Sequence, residues 1–299
     1  MDELSLEMLA PYVREQSDRK IRSSADYTEQ VLDFYLNGRH LVGSRFPFNI
    51  LDEKFRFSPN QVTLLGGING SGKSLFAGQC LLYCMDQEVK CLSVSLEMSP
   101  PSQLARMWRQ ASLKVEPTLD FGLGFNSWAA KRLYFYDQQG SIDLDTLSAV
   151  IQYSYDHYGT KMVLVDSLMG LSGIRHDDYT AQKEVVLELC DIAKKLEIHI
   201  MLVAHARKGM SIAHKLDKWS IRGAGELTDA VDNVILLGRY YRDDPFGGEP
   251  DAYLSIAKAR HFDGAEMDLD LFLDMASLNY YLPGATPLKI NMDDEMLES

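Results

Sequence analysis

The stretch Gly67-Ile68-Asn69-Gly70-Ser71-Gly72-Lys73-Ser74 directly follows an apolar run, Val62 to Leu65. Its residue types and spacing are those of a phosphate cradle. The glycines let backbone N–H groups turn inward onto phosphate oxygens, and the start of the following helix adds a favourable dipole. Gly67, Asn69, Gly70, Ser71 and Gly72 form the cradle. Lys73 is placed to reach the β- and γ-phosphates, and the Ser74 hydroxyl to hold Mg2+. ATP or another nucleoside triphosphate, with Mg2+, is the ligand this pattern expects.

Other chemistry-bearing residues close apolar strands. Asp166 ends "MVLVD", where an acid beside the cradle holds Mg2+ through water. Glu97 follows "SVSL". A carboxylate at a strand tip faces the γ-phosphate side of an α/β sheet and can orient or deprotonate a water. His205 closes "IHIMLVAH", placed to touch the γ-phosphate and register its loss. Lys258 and Arg260 lie two apart in "LSIAKARHFDG" and so project to the same side of a strand. If they point away from their own cradle, they can reach a neighbour's nucleotide, where an arginine stabilises charge on the transferring phosphate.

These groups need a scaffold of alternating strands and helices. "VTLL" precedes a helix from Ser74 to about Asp86. "KCLSVSL" precedes one at Ser102–Ala111, "RLYFY" one at Leu144–Tyr158, and "MVLVD" one at Tyr179–Leu196. "IHIMLVA" and "NVILLG" follow without a long helix between them. "YLSIAKA", "MDLDLFLD" and "LNYYL" alternate as antiparallel strands do. The expected fold is α/β, a mostly parallel central sheet with C-terminal β-hairpins. Upstream, Tyr27, Val31, Phe34 and Tyr35 share one helix face, ended by Asn37-Gly38. This short helix either packs on its own domain or links to a neighbouring subunit. "RHLVGSRFPFNILDEKF" reads as a loop. The division expected is an N-terminal segment and linker helix at 1–40, an ATPase domain at 41–285 and an acidic tail at 286–299.

Hydrophobic residues make up 46 % of the 299, enough for a sizeable core. No apolar run of about 18 residues occurs, so no membrane span is expected, and the acidic N-terminus resembles neither a signal nor a transit peptide. A cytoplasmic protein is expected. Cys80, Cys84, Cys91 and Cys190 match no zinc spacing and read as buried thiols. The net charge of −13 excludes a general nucleic-acid coat but not a ring with cationic channel loops.

In this order, "SRFPFNILDEKFRFSPNQVTLLGGINGSGKS", "VSLEMSPPSQLARM", "YFYDQQG", "MVLVDSLMG", "VAHARK", "IRGAGELTDAVDNVILL" and "KARHFDG" resemble the RecA-like P-loop ATPase core of replicative hexameric helicases. The likeness is to the DnaB family, especially Twinkle and the helicase half of podophage primase-helicases, over about residues 38–282. It implies a homo-hexameric ring moving 5′→3′ on single-stranded DNA. Glu97 would be the catalytic base, Asp166 the Mg2+ acid, His205 the γ-phosphate sensor, and Lys258 with Arg260 the trans-acting pair. Arg239 matches an arginine that phage relatives set against the base. Two loops would meet DNA: one after Asp166, with Gly173 and Arg175, and one after His205, with Arg207, Lys208, Lys215, Lys218 and Arg222. Contacts there would be to backbone phosphate, hence sequence-independent and salt-sensitive. No primase or zinc module precedes the ATPase segment, so primer synthesis is not expected. The acidic tail is a candidate hook for a polymerase, primase or single-strand-binding protein. Alternatives are a RecA/RadA-like recombinase, or a regulatory RecA-like ATPase acting on protein.

Overall fold

The computed structural model describes residues 21–36, 42–172, 178–206, 215–221, 224–240, 248–261, 267–287, 289–290 and 292. The chain divides into two compact units, residues 1–41 and 42–299. In the first, a 3-10 turn at Ser24–Tyr27 runs into helix α1, Thr28–Leu36. Ser23 starts it with a capping box: its hydroxyl accepts from Ala25 N, and Asp26 returns a carboxylate to Ser23 N. Tyr27, Val31 and Tyr35 are exposed at four-residue spacing, and Leu32 and Leu36 repeat the pattern beside them.

The second unit is built on one sheet of nine strands among the described residues, in the order β11-β10-β9-β8-β3-β7-β6-β4-β5. The strands are β3 (Gln61–Gly67), β4 (Cys91–Ser95), β5 (Leu133–Phe135), β6 (Met162–Asp166), β7 (His199–His205), β8 (Asn233–Arg239), β9 (Ala252–Ala259), β10 (Met267–Asp274) and β11 (Asn279–Tyr281). From β5 to β8 every pairing is parallel; from β8 to β11 every pairing is antiparallel. The hydrophobic runs are continuous because the parallel strands are covered on both faces. One face carries α2 (Lys73–Asp86), α3 (Pro100–Ser112) and α4 (Leu119–Ala129). The other carries α5 (Leu144–Tyr158), α6 (Tyr179–Leu196) and the short α7 (Ala224–Ala230). Successive residues part between them: Leu64 joins the second core and Leu65 the first. All four cysteines are buried and free.

The stretch read as a loop folds into a small hairpin, β1 (Ser44–Arg45) with β2 (Arg56–Phe57), joined by a 3-10 turn at Asn49–Leu51. Its role is aromatic. Phe46 lies within ring-packing distance of Phe48, Phe55, Phe57 and Phe76, with centroids 5.3 to 5.7 Å away. Phe76 belongs to α2, so the cluster fixes the helix that begins at Lys73. The end of the chain also departs from expectation. Ile290 and Met292, within the stretch assigned to an acidic tail, are buried in the first core.

A buried polar chain registers the starts of β3, β7 and β8. His199 Nδ1 donates to Ser58 O at 2.7 Å, since a carbonyl can only accept, which leaves Nε2 to accept from Thr63 Oγ1 at 2.9 Å. Asn233 Nδ2 donates to Thr63 Oγ1 and to Gln61 Oε1. Burial lowers the His199 pKa from 6.5 to about 4. As pH falls, the unfolded chain therefore takes up this proton first. The stability held by His199 is complete above pH 6.5 and is lost between 6.5 and about 4, up to about 3 kcal/mol. Denaturant melts across that window should lose stability more steeply for wild type than for His199→Gln; equal slopes would contradict the assignment.

Candidate functional site

Strand register assembles the site. In the parallel ladder Gly67 pairs with His205, and Ser95 pairs with Asp166. The tips of β3, β4, β6 and β7 thus meet at one edge, where β3 has β7 on one side and β8 on the other while the chain crosses over to β4. A cavity of about 660 Å3 opens there, lined by the phosphate loop, Glu97, Arg106 and His205.

The loop needs its glycines. Gly70 and Gly72 have φ of 77° and 91°, left-handed values unfavourable to side chains. A Cβ on Gly67 would meet Leu237 O and Ser71 Oγ. Lys73 folds back over the loop, its Nζ donating to Gly67 O and Ile68 O at 3.0 Å each. Burial lowers its pKa, and the carboxylates of Asp166 and Glu97 partly oppose that. Asp166 is buried too; desolvation raises its pKa, while a hydrogen bond from Ser74 pulls it back. Ser74 and Asp166 form an all-oxygen donor pair suited to a hard cation such as Mg2+. A cation there would relieve the desolvated carboxylate. At this edge two buried polar atoms among the described residues have no protein partner: Ser71 Oγ in the loop and His205 Nδ1 beside it. Both fit a pocket built for a polar ligand.

Glu97 is held from two sides. Ser167 Oγ donates to Glu97 Oε1 at 3.0 Å, and His205 Nε2 lies 3.4 Å from the same oxygen. Burial, then the Lys73 charge, lower the His205 pKa, so the ring is neutral near pH 7. Sequence reasoning missed Ser167, although it directly follows Asp166. It also missed Arg106, nine positions after Glu97 on α3, whose side chain lines the same cavity.

The remaining candidates divide by place. Arg239 ends β8 at the phosphate edge. Lys258 and Arg260 do not lie there: Asn233, the first residue of β8, pairs with Ala259, which puts both at the opposite edge. Lys258 is turned onto its own chain. Its Nζ donates to Thr228 O, Asp229 O and Val231 O, so its three ammonium protons hold the end of α7 instead of reaching outward. Arg260 donates to Asp229 O at 2.9 Å and pairs with Asp232 at 3.4 Å, yet its side chain stays 45 % exposed.

Gly173, Arg175, Arg207, Lys208 and Arg222 lie outside the described residues. Lys215 and Lys218 sit on the segment 215–221. Lys215 pairs with Asp268 at 2.6 Å, and Lys218 stands 5.3 Å over the exposed ring of Trp219. Leu216 and Ile221 anchor this segment. Leu216 N donates to Tyr253 Oη, and Ile221 forms a bridge with Ala206 and fills the space a side chain at Gly66 would need. Two described parts of the basic stretch are thus placed: Ala206 at the end of β7, and Ile221 against Ala206 and Gly66 of β3.

A protein-family model described as the KaiC ATPase matches residues 48–267. Among solved structures, the chain is similar to a DnaB-like replicative helicase described with its interactions with primase, at 18 % identity and a TM-score of 0.70, covering 90 % of this chain and 70 % of that one. It is also similar to a second solved structure, described as an ATPase domain, at 18 % identity and a TM-score of 0.72, covering 88 % of this chain and 99 % of that one. At that identity the likeness speaks for the fold: a RecA-like ATPase core like that of DnaB-like helicases. No curated protein sequence matches. Among the described residues no helix is long and apolar enough to cross a membrane.

Removing the Ser167 hydroxyl should loosen Glu97 without touching the phosphate loop. Ser167→Ala is expected to lower kcat for ATP hydrolysis about tenfold, with KM within about twofold. An unchanged kcat would remove Ser167 from the site.

Proposed function

The chain belongs to the KaiC ATPase family, and we propose that it is an ATP-driven DNA helicase motor, a homo-hexameric ring that moves 5′→3′ along single-stranded DNA. The observation that carries this reading is where the described ends of the basic segment lie. One is at His205, beside the catalytic carboxylate, and the other at Ile221, against the phosphate strand. In this reading a change at the γ-phosphate is passed from His205 to the segment that carries Lys215 and Lys218.

In this reading Glu97, aimed by Ser167, takes a proton from the attacking water as its oxygen bonds to the γ-phosphorus and the bond from that phosphorus to the β–γ bridging oxygen breaks, releasing ADP. Lys73 shifts from its loop carbonyls to the phosphate oxygens. Ser74 and Asp166 would hold a Mg2+ ion, which when bound neutralises phosphate charge. His205 exchanges its contact with Glu97 for the γ-phosphate and relaxes when the phosphate departs. Arg239 meets the base. Arg260, at the far edge of the sheet, serves the site of the next subunit. Lys258 positions Arg260 by fastening α7 beneath it.

Assembly has apolar surface to draw on. α1 exposes Val31 and Tyr35, and α4 with its approach exposes Val115, Leu119 and Leu123 at four-residue spacing. Docking of α1 on a neighbouring copy would bury both stripes. The acidic residues at the chain end are a candidate contact for a polymerase, primase or single-strand-binding protein. A cytoplasmic setting, in bacterial or phage-infected cells, fits this work.

Four experiments test the proposal. A forked duplex with ATP should be unwound when it carries a 5′ tail and not when it carries only a 3′ tail; strand exchange without unwinding would favour a recombinase, and ATPase activity indifferent to DNA a regulator. Lys73→Ala should abolish hydrolysis. Arg260→Ala should retain nucleotide binding and lose about 100-fold or more in kcat; wild-type turnover would end the trans-arginine assignment. Lys215→Ala with Lys218→Ala should weaken single-strand binding several-fold at low salt while basal hydrolysis persists. Unchanged affinity would move the DNA site elsewhere.

A further inference from the structure

Tyr280 belongs to β11, the edge strand of the sheet, yet its side chain ends beneath the phosphate loop. Its hydroxyl donates to Ser71 O at 3.0 Å. Its ring stands edge-on to Phe76 of α2, centroids 6.0 Å apart. A side chain on Gly72 would run into the hydroxyl, so loop and phenol are fitted without slack.

The tyrosine is itself held by a buried clamp. Gln79 of α2 donates from Nε2 to Tyr280 O at 2.8 Å and accepts from Tyr280 N at 2.9 Å. One residue earlier, Asn279 Nδ2 donates to Gln110 O at 2.8 Å. Gln110 Nε2 in turn donates to Leu75 O and Leu278 O. Gln79, Gln110 and Asn279 are all buried. Side-chain amides on both neighbouring helices thus fix β11 at the one place where it sends a side chain to the loop. Packing alone would be served by phenylalanine, because a buried hydroxyl costs free energy unless it finds a partner. Here that partner is a carbonyl of the anion-binding loop.

That carbonyl shares a peptide unit with the Gly72 N–H. Gly72 is the N-cap of α2, so its N–H belongs to the set that helix geometry leaves open. A donor placed on the oxygen polarises the amide and strengthens the N–H as a donor on the other side. It also pins the orientation of the unit. At φ 91° Gly72 has the freedom to flip. A flipped peptide would aim the Ser71 oxygen, not an N–H, at a phosphate.

We propose that Tyr280 is a positioning residue for nucleotide binding: it fixes and polarises the Ser71–Gly72 peptide so that the Gly72 N–H is presented to phosphate. The inference rests on the phosphate loop being the nucleotide site. Burial pushes the phenol up to about 12, so it remains a donor throughout the working pH range. The clamp also joins the phosphate loop to the antiparallel half of the sheet, whose strand β9 leads to Arg260.

The test is calorimetric titration of the full chain with Mg·ADP. Tyr280→Phe should raise Kd about five- to tenfold, while its ligand-free thermal midpoint stays within about 3 °C of wild type. In steady state the same variant should raise KM for ATP with kcat within about twofold. Tyr281→Phe, one residue on, should change neither. Gln79→Met, which releases the Tyr280 backbone but keeps the hydroxyl, should shift Kd in the same direction by a smaller factor, and decides the matter if Tyr280→Phe does not fold. If wild type binds Mg·ADP and Tyr280→Phe binds it equally well, the inference is overturned. A loss of ligand-free stability with unchanged Kd overturns it too. Failure of wild type to bind at all would remove the nucleotide site first, and this inference with it.

Discussion

Everything at the site depends on the parallel, in-register pairing of β3 with β7 and of β4 with β6. Parallel strands end at the same edge. The ladder therefore brings Gly67 beside His205 and Ser95 beside Asp166. The chemistry that follows is costly to assemble. Lys73, Asp166 and His205 are each partly or wholly desolvated, and each has its pKa displaced against its charged form. Such a cluster persists because two cores, one on each face of the sheet, fix the strand tips. Within the chain, Lys73 donates to loop carbonyls, and His205 lies against Glu97.

The same sheet separates what a single chain can do from what it cannot. At β8 the polarity reverses, and β9 runs back from the phosphate edge to the opposite one. Arg260 ends up there, out of reach of its own phosphate loop. In the proposed motor this separation is the coupling device: one copy contributes loop, carboxylate and histidine, and the next contributes the guanidinium. The clamp around Tyr280 fits the same picture, since it binds the antiparallel half of the sheet to the phosphate loop.

The phosphate loop and the strands that end in Asp166 and His205 were legible in the sequence because each is a local pattern. The helices at Leu144–Tyr158 and Tyr179–Leu196 were legible from periodicity. Helix α4 was not. Its sequence, LDFGLGFNSWA, carries two glycines that weaken helix propensity. It stands on a Thr118 cap, on burial of Phe125 and Trp128, and on Gly122, where any side chain would strike the Trp108 ring. The hairpin of β1 and β2 escaped notice because its strands are two residues each and its stability comes from an aromatic cluster closed by Phe76, far along the chain. Ile290 and Met292 were hidden in an acidic stretch. Strand alternation showed which side Lys258 projects from, but not that the carbonyls of α7 wait there to engage it. Contacts made across long sequence separations, such as Tyr280 with Ser71, leave no periodic trace.

The central claim is that each hydrolytic site is shared between two copies of the chain. Mixing Lys73→Ala with Arg260→Ala protein in equal amounts tests it most directly, because each is expected to be inactive alone. In a shared-site ring about a quarter of the interfaces in the mixture join an intact phosphate loop to an intact Arg260, so ATPase activity should return to about that fraction of wild type. A mixture as inactive as its components, with subunit exchange verified, would contradict the account.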